Sequence, residues 1–369
     1  MASSLSFPQR TSRSIAVGPQ RDKDAAVRQT DSDAALARLS AVKRGYLHDP
    51  FIAHLVPRPE FQTPRPPLIN IGTYLRSSAL DELVDRWLDL SLQQGKQCQI
   101  ISLGAGSDTR FWRIASGPKS SALASYVELD LEENVVKKAK AIRKSIELST
   151  VLGDAEQIQI RRGGCELHAR KYHLLSADLR KLNTLNQLFE SQQTGEAPLL
   201  SPGIPVLLIF ECVLVYMTPD ESNRLIERFA DYCQPTLTPL GAVVYEMFNV
   251  GDSFGRVMLN NLSARGISLP GATPYPSKQS LAARFLQHGF TGAHALTLRD
   301  VRYLYIDVRE SERISKLEML DEVEELDLVL DHYAITWGYS SPTADAALWS
   351  TWALYPKSSV QNDHDEEDL

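Results

Sequence analysis

The run Gln99-Ile-Ile-Ser-Leu-Gly-Ala-Gly-Ser-Asp-Thr-Arg-Phe-Trp112 constrains this chain more than any other stretch. Apolar Ile100, Ile101 and Leu103 stop abruptly at Gly104-Ala-Gly106, and polar Ser107, Asp108 and Thr109 follow. The pattern reads as a buried strand, a tight glycine turn and the capped start of a helix. Glycine at such a turn lets the backbone come close to a ligand lying across the strand end. A dinucleotide fingerprint wants a third glycine three positions after Gly106. Position 109 is Thr, which argues against a dinucleotide pyrophosphate.

A chain of 369 residues holds one large α/β domain with elaborations, or two modest ones. With 43% hydrophobic and 23% charged residues it has the composition of a globule. A net charge of -7 argues against a dedicated nucleic-acid binder, which carries a basic surplus. No apolar stretch approaches the roughly 20 residues of a membrane helix. Cys98, Cys165, Cys212 and Cys233 are dispersed, with no C-x-x-C pair, which reads as reduced thiols in an intracellular, cytoplasmic protein and not as a zinc site. Cys212 lies in the apolar run Val206 to Val215, where a thiol is inert. Residues 1–30 have two readings, a disordered tail or an Arg- and Ser-rich mitochondrial presequence; sparse apolar residues favour the tail. The acidic end, residues 357–369, reads as solvated tail.

Between the tails, residues 31–356 are expected to form one domain, with 31–95 a helical cap and 96–356 the core. Helical spacing of Leu36, Leu39 and Val42 begins after Asp31 or Asp33 and breaks at Arg44-Gly-Tyr-Leu-His-Asp-Pro50. A second helix spans about 71–92. Strands are expected at about 98–103, 125–130, 172–177, 205–212 and 241–248 with helices between, an α/β alternation that implies a doubly wound, mostly parallel sheet. Segments are inserted after the second and fifth strands. A helix near 278–288, a strand near 290–298, an acidic amphipathic helix at 311–330 and an aromatic strand near 332–338 close the fold.

Ligands of such sheets sit beyond the carboxyl ends of the strands. Strand one ends at Gly104-Ala-Gly106, strand two in Glu128-Leu-Asp130, strand three in Ala177-Asp178-Leu179-Arg180, and strand four in Glu211-Cys-Val-Leu-Val-Tyr216-Met. An acid about 20 residues past the glycine turn is placed to accept from ribose hydroxyls. Each Asp also has a plainer reading, as the cap of the next helix. Acids at three successive strand ends would repel a pyrophosphate but suit a cationic ligand.

These segments, with Gly45-Tyr-Leu-His-Asp-Pro-Phe51, Tyr245-Glu-Met-Phe-Asn249, Gly251-Asp-Ser-Phe-Gly255 and His332-Tyr333, resemble in order the leucine carboxyl methyltransferase family over roughly residues 35–340. The resemblance implies S-adenosylmethionine as cofactor, in contact with Arg76 (its carboxylate), Gly104 and Gly106 (close approach), Asp130 (ribose), Asp178 and Leu179 (adenine edge) and Glu211 (amino-acid end). It implies as substrate the C-terminal leucine of the catalytic subunit of type 2A protein phosphatases, with no nucleic acid, membrane or metal involved and the chain a monomer. The family's N-terminal helix offers a lysine toward the active site. The matching position here is Arg38, with Lys43 as the alternative in another register. Arg38, Arg180 and Tyr216 are the candidates for contacts to the leucine carboxylate. Arg38 also has a reading as solvated helix face, and Arg180 as partner of a nearby acid. Two other functions stay open: a small-molecule O-methyltransferase, and a non-catalytic phosphatase-tail binder.

Overall fold

The computed structural model describes residues 24–189, 198–341 and 345–357; the expected tails up to residue 23 and from 358 lie outside them. Nine strands form one sheet: β1 (Cys98–Leu103), β2 (Leu123–Asp130), β3 (Gln159–Arg161), β4 (Glu166–His168), β5 (Tyr172–Ser176), β6 (Val206–Glu211), β7 (Leu240–Met247), β8 (Gly292–Thr297) and β9 (Tyr333–Ser340). Their order is β3-β4-β5-β2-β1-β6-β7-β9-β8. From β5 to β7 neighbouring strands are parallel, and antiparallel strands extend both edges. The chain winds outward from β1 to β2 and β5, then returns to β6 on the other side of β1. The gap beyond the ends of β1 and β6 is therefore the point where the order reverses, and ligand sites of open α/β sheets form there.

The expected doubly wound α/β fold is present, and the five parallel strands fall within two residues of their expected bounds. Burial on both faces explains their legibility. Ile100, Tyr126, Leu207 and Ile209 face one apolar cluster, while Ile101, Val127, Leu208 and Phe210 face the other.

Three elements differ from expectation. The first helix begins at Ala25, because Asp31 and Asp33 lie inside it and are not its caps. The insertion after β2 carries the short β3–β4 hairpin, too brief to leave a periodic signal. The acidic stretch 311–330 divides into helices Val308–Ser315 and Val323–Leu330. Between them Glu318 reaches Asn70 Nδ2 at 2.7 Å and Arg44 at 3.3 Å, so tertiary contacts override local helical propensity.

The helix Pro67–Gln93 crosses the sheet with Trp87 fully buried. Trp349 and Trp352, near the end of the described chain, pack on Trp87 with ring centroids 4.2 and 4.8 Å away. On β7, Gly241 leaves room for this ring: a Cβ there would lie 2.6 Å from it. Trp87→Ala should therefore cost about 3–5 kcal/mol of stability by urea unfolding. A loss below about 1 kcal/mol would show that the tryptophan cluster collapses around the hole.

Candidate active site

A cavity of about 400 Å³ opens beyond the ends of β1 and β6, within the size range of small-ligand pockets. Its floor is the glycine loop. Gly104 and Gly106 have φ of +67° and +46°, which only glycine adopts without strain. A Cβ on Gly104 would lie 2.5 Å from the Val213 side chain, and one on Gly106 would lie 2.5 Å from Asp31 Oδ1. Both glycines are thus needed for conformation and for space.

All ten residues singled out from the sequence line this one cavity: Arg38, Arg76, Gly104, Gly106, Asp130, Asp178, Leu179, Arg180, Glu211 and Tyr216. Lys43 does not line it; its Nζ donates to the Pro59 carbonyl at the surface. Arg38 is not a solvated face, being only 12% exposed.

The contacts refine several roles. Asp130 accepts from Gly106 N at 2.6 Å, from Leu131 N at 2.6 Å and from Asn134 Nδ2 at 3.0 Å. Burial raises its pKa, and these hydrogen bonds pull the other way. It braces the glycine loop as well as facing the cavity. Arg76 and Glu211 pair with each other at 2.5 Å, and the Arg76 guanidinium lies 4.5 Å from the centre of the Tyr245 ring. Arg180 bonds Asp178 through Nε at 2.8 Å and grips Asp24 with Nη1 and Nη2 at 2.9 and 2.7 Å. Its alternative reading, as the partner of a nearby acid, describes what the structure contains. Burial, followed by the nearby Cys212 thiol, pushes the Tyr216 hydroxyl far above the ordinary phenol range, so it stays protonated. Cys212 is itself pushed up to about 11 by burial and is no nucleophile.

The helical cap and Arg38 on it were expected from the sequence; the contacts of its acidic residues were not. The N-terminal helix Ala25–Lys43 lies over the cavity, contributing Asp24, Val27, Asp31 and Ala34 along with Arg38. Asp31 accepts from Ser107 N at 2.6 Å and pairs with Lys137 at 2.9 Å. Arg28 pairs with Glu133 at 3.5 Å, and Asp33 with Arg265. Asp24 and Asp31, seven residues apart and so on one face of the helix, were the available signal for a face that docks elsewhere. Across the cavity Tyr245 and Tyr333 stack at 5.5 Å, and Met247, Leu262 and Ile267 make an apolar end. Among the described residues no group of three His, Cys, Asp or Glu is spaced to hold a metal ion, and no helix is long and apolar enough to cross a membrane.

The family model of leucine carboxyl methyltransferases matches residues 26–230, which carry the roof and most of the cavity. This chain belongs to that family. It is 39% identical over 349 residues to leucine carboxyl methyltransferase 1 of Aspergillus fumigatus, covering 89% of this chain and 87% of the relative. The Cryptococcus neoformans protein of that name is 41% identical over 347 residues, covering 87% and 94%. The Schizosaccharomyces pombe protein is 33% identical over 326 residues, covering 88% and 96%. The fold is accordingly of the S-adenosylmethionine-dependent methyltransferase type, and S-adenosylmethionine is the cofactor.

The cavity fits that group. Seven acids and five arginines line it, a balance that favours the cationic sulfonium and ammonium. A methyl group added at Gly106 would combine strain at φ +46° with a clash against Asp31. Gly106→Ala should weaken cofactor binding by about tenfold or more in calorimetry, given roughly 1–3 kcal/mol for such strain. Unchanged affinity would remove the loop from the cofactor's seat.

Proposed function

We propose that this protein esterifies the α-carboxylate of a C-terminal leucine on type 2A protein phosphatase catalytic subunits. The observation that carries the reading is the convergence of the glycine cradle, the Arg76–Glu211 pair and roof residue Arg38 on one cavity with an apolar end. When bound, S-adenosylmethionine supplies an electrophilic methyl group on a cationic sulfonium. Gly104 and Gly106 admit it, Asp130 faces its ribose, Asp178 and Leu179 flank its base, and Arg76 with Glu211 holds its amino-acid end. Arg38 and Tyr216 face the leucine carboxylate, and Arg180 holds Asp24 and Asp178 in place.

An α-carboxyl has a pKa near about 3.5, so the nucleophile is already ionised at neutral pH and needs no general base. The protein's work is to hold the carboxylate close to the methyl group and exclude water, and proximity of this kind contributes roughly 7–11 kcal/mol. The helical roof supports the exclusion of water. The Tyr216 hydroxyl, kept protonated by burial, is suited to donate one hydrogen bond to a carboxylate oxygen.

Arg76→Ala should weaken cofactor binding by about 2–5 kcal/mol, because it also leaves Glu211 without its close partner. Calorimetry that finds unchanged binding would remove Arg76 from the cofactor site.

The acceptor is tested with methyl-labelled cofactor and purified phosphatase. The label should be released as methanol by mild alkali, and amidating or deleting the terminal leucine should abolish incorporation. The rate should stay nearly flat from pH 8 down to about 6, since no group must lose a proton there. An alkali-stable label on nitrogen would overturn the carboxyl reading, and equal turnover of free carboxylic metabolites would favour a small-molecule acceptor.

A further inference from the structure

Asp49 does not line the cavity, yet its carboxylate is fully buried and joins three separate parts of the site. Oδ2 accepts from Arg38 Nε at 2.5 Å, on the roof, and from Thr109 Oγ1 at 2.5 Å, in the glycine loop. Oδ1 accepts from the backbone N–H groups of Phe51 and Ile52 at 3.0 and 3.2 Å, which fixes the carboxylate plane. Arg38 has a second anchor, Nη1 to Ser77 Oγ at 3.0 Å. Among the described residues its Nη2 has no hydrogen-bond partner.

A free guanidinium grips a carboxylate with two parallel N–H bonds, along its Nε side or its Nη1–Nη2 end. Either grip would occupy both oxygens of a nucleophilic carboxylate and stabilise the ground state against reaction. In this site Asp49 takes Nε, which closes the side edge, and Ser77 takes one of the two Nη1 hydrogens, which fixes the guanidinium plane and leaves Nη2 to meet the acceptor. We infer that Asp49, with Ser77, is a positioning device that turns Arg38 from a two-pronged clamp into a single-point contact, leaving one oxygen of the acceptor carboxylate free to attack. The buried negative charge also offsets the arginine's charge, which further spares the nucleophile. Through Thr109 the same carboxylate sets the roof at a fixed height over the glycine loop.

This inference rests on Arg38 facing the acceptor carboxylate. Asp49→Asn keeps an oxygen for the Phe51 and Ile52 N–H groups and removes the charge that holds Nε. With purified phosphatase as substrate, kcat should fall about tenfold while KM for the phosphatase also falls, because Arg38 is released to clamp it. Cofactor affinity should change less than kcat, and the thermal midpoint should fall by a few degrees because a buried pair loses its charge. In an Arg38→Ala background Asn at position 49 should cause no further loss of kcat. Ser77→Ala, a milder change, should shift kcat and KM in the same directions by severalfold, and carries the test if Asp49→Asn does not fold.

A raised KM with unchanged kcat would overturn the inference, as would full multiplicative effects of the Arg38 and Asp49 changes. Wild-type kinetics in Ser77→Ala and Asp49→Asn, with Arg38→Ala impaired, would sink the positioning role and leave Arg38 in the site. Wild-type kinetics in Arg38→Ala would remove the premise, a failure visible before the double variants are made.

Discussion

Arg110, buried to 2% exposure, is the contact on which the arrangement of the site depends. It donates to Asp81 on the helix Pro67–Gln93 at 2.9 Å, pairs with Asp108 of the glycine loop at 2.5 Å, and reaches Glu211 at the end of β6 at 3.5 Å. One guanidinium thus fixes a helix, a loop and a strand end around the reversal of the sheet. Burial by itself pushes the Asp81 carboxyl up; Arg113 and Arg110 together outweigh it and hold the group below the usual carboxylate range. A carboxylate shifted downward contributes stability above its unfolded pKa and loses it as pH falls through the folded value. The network is therefore complete at neutral pH and fails only in acid. Removing one member leaves an uncompensated charge in a dry interior, at a cost of roughly 3–5 kcal/mol.

That network explains why the glycine loop is rigid enough to serve as a cradle. Lys138 Nζ donates to the Asp108 carbonyl at 2.8 Å and pairs with Glu128 at 2.5 Å, so the loop is also held from beneath. From above it is held by Asp31 and, through Thr109, by Asp49. A loop with two glycines at positive φ has more unfolded-state freedom than most, and fixed partners on each side offset that entropy.

The core of this design was legible in the sequence because it rests on local, repeated signals. Buried parallel strands are short apolar runs, and a glycine turn followed by acid-bearing strand ends marks a ligand crevice; every residue chosen on those grounds lines the cavity. What escaped was long-range. Asp31 and Asp33 carry the local signature of helix caps, but Asp31 meets a backbone N–H 76 residues away. Arg180 and Asp24 are 156 residues apart, so their bidentate pairing leaves no trace in spacing. The hairpin β3–β4 and the break between Ser315 and Val323 are likewise set by what they pack against.

The roof illustrates how charge can close a site without sealing it. Asp24 to Arg180, Arg28 to Glu133, Asp31 to Lys137 and Asp33 to Arg265 all join the N-terminal helix to the cavity rim or its neighbours. The more exposed of these pairs, such as Arg28 to Glu133 and Asp33 to Arg265, contribute only about 0–1 kcal/mol each and weaken with salt. The apolar contribution is modest too, since Ala35 and Leu39 belong to a small satellite cluster apart from the main core. The buried Arg38–Asp49 contact is of a different kind, because its desolvated carboxylate has no water to fall back on. The roof is thus pinned by two acids with buried side chains, Asp31 on the helix and Asp49 beneath Arg38, and held by weaker surface pairs elsewhere.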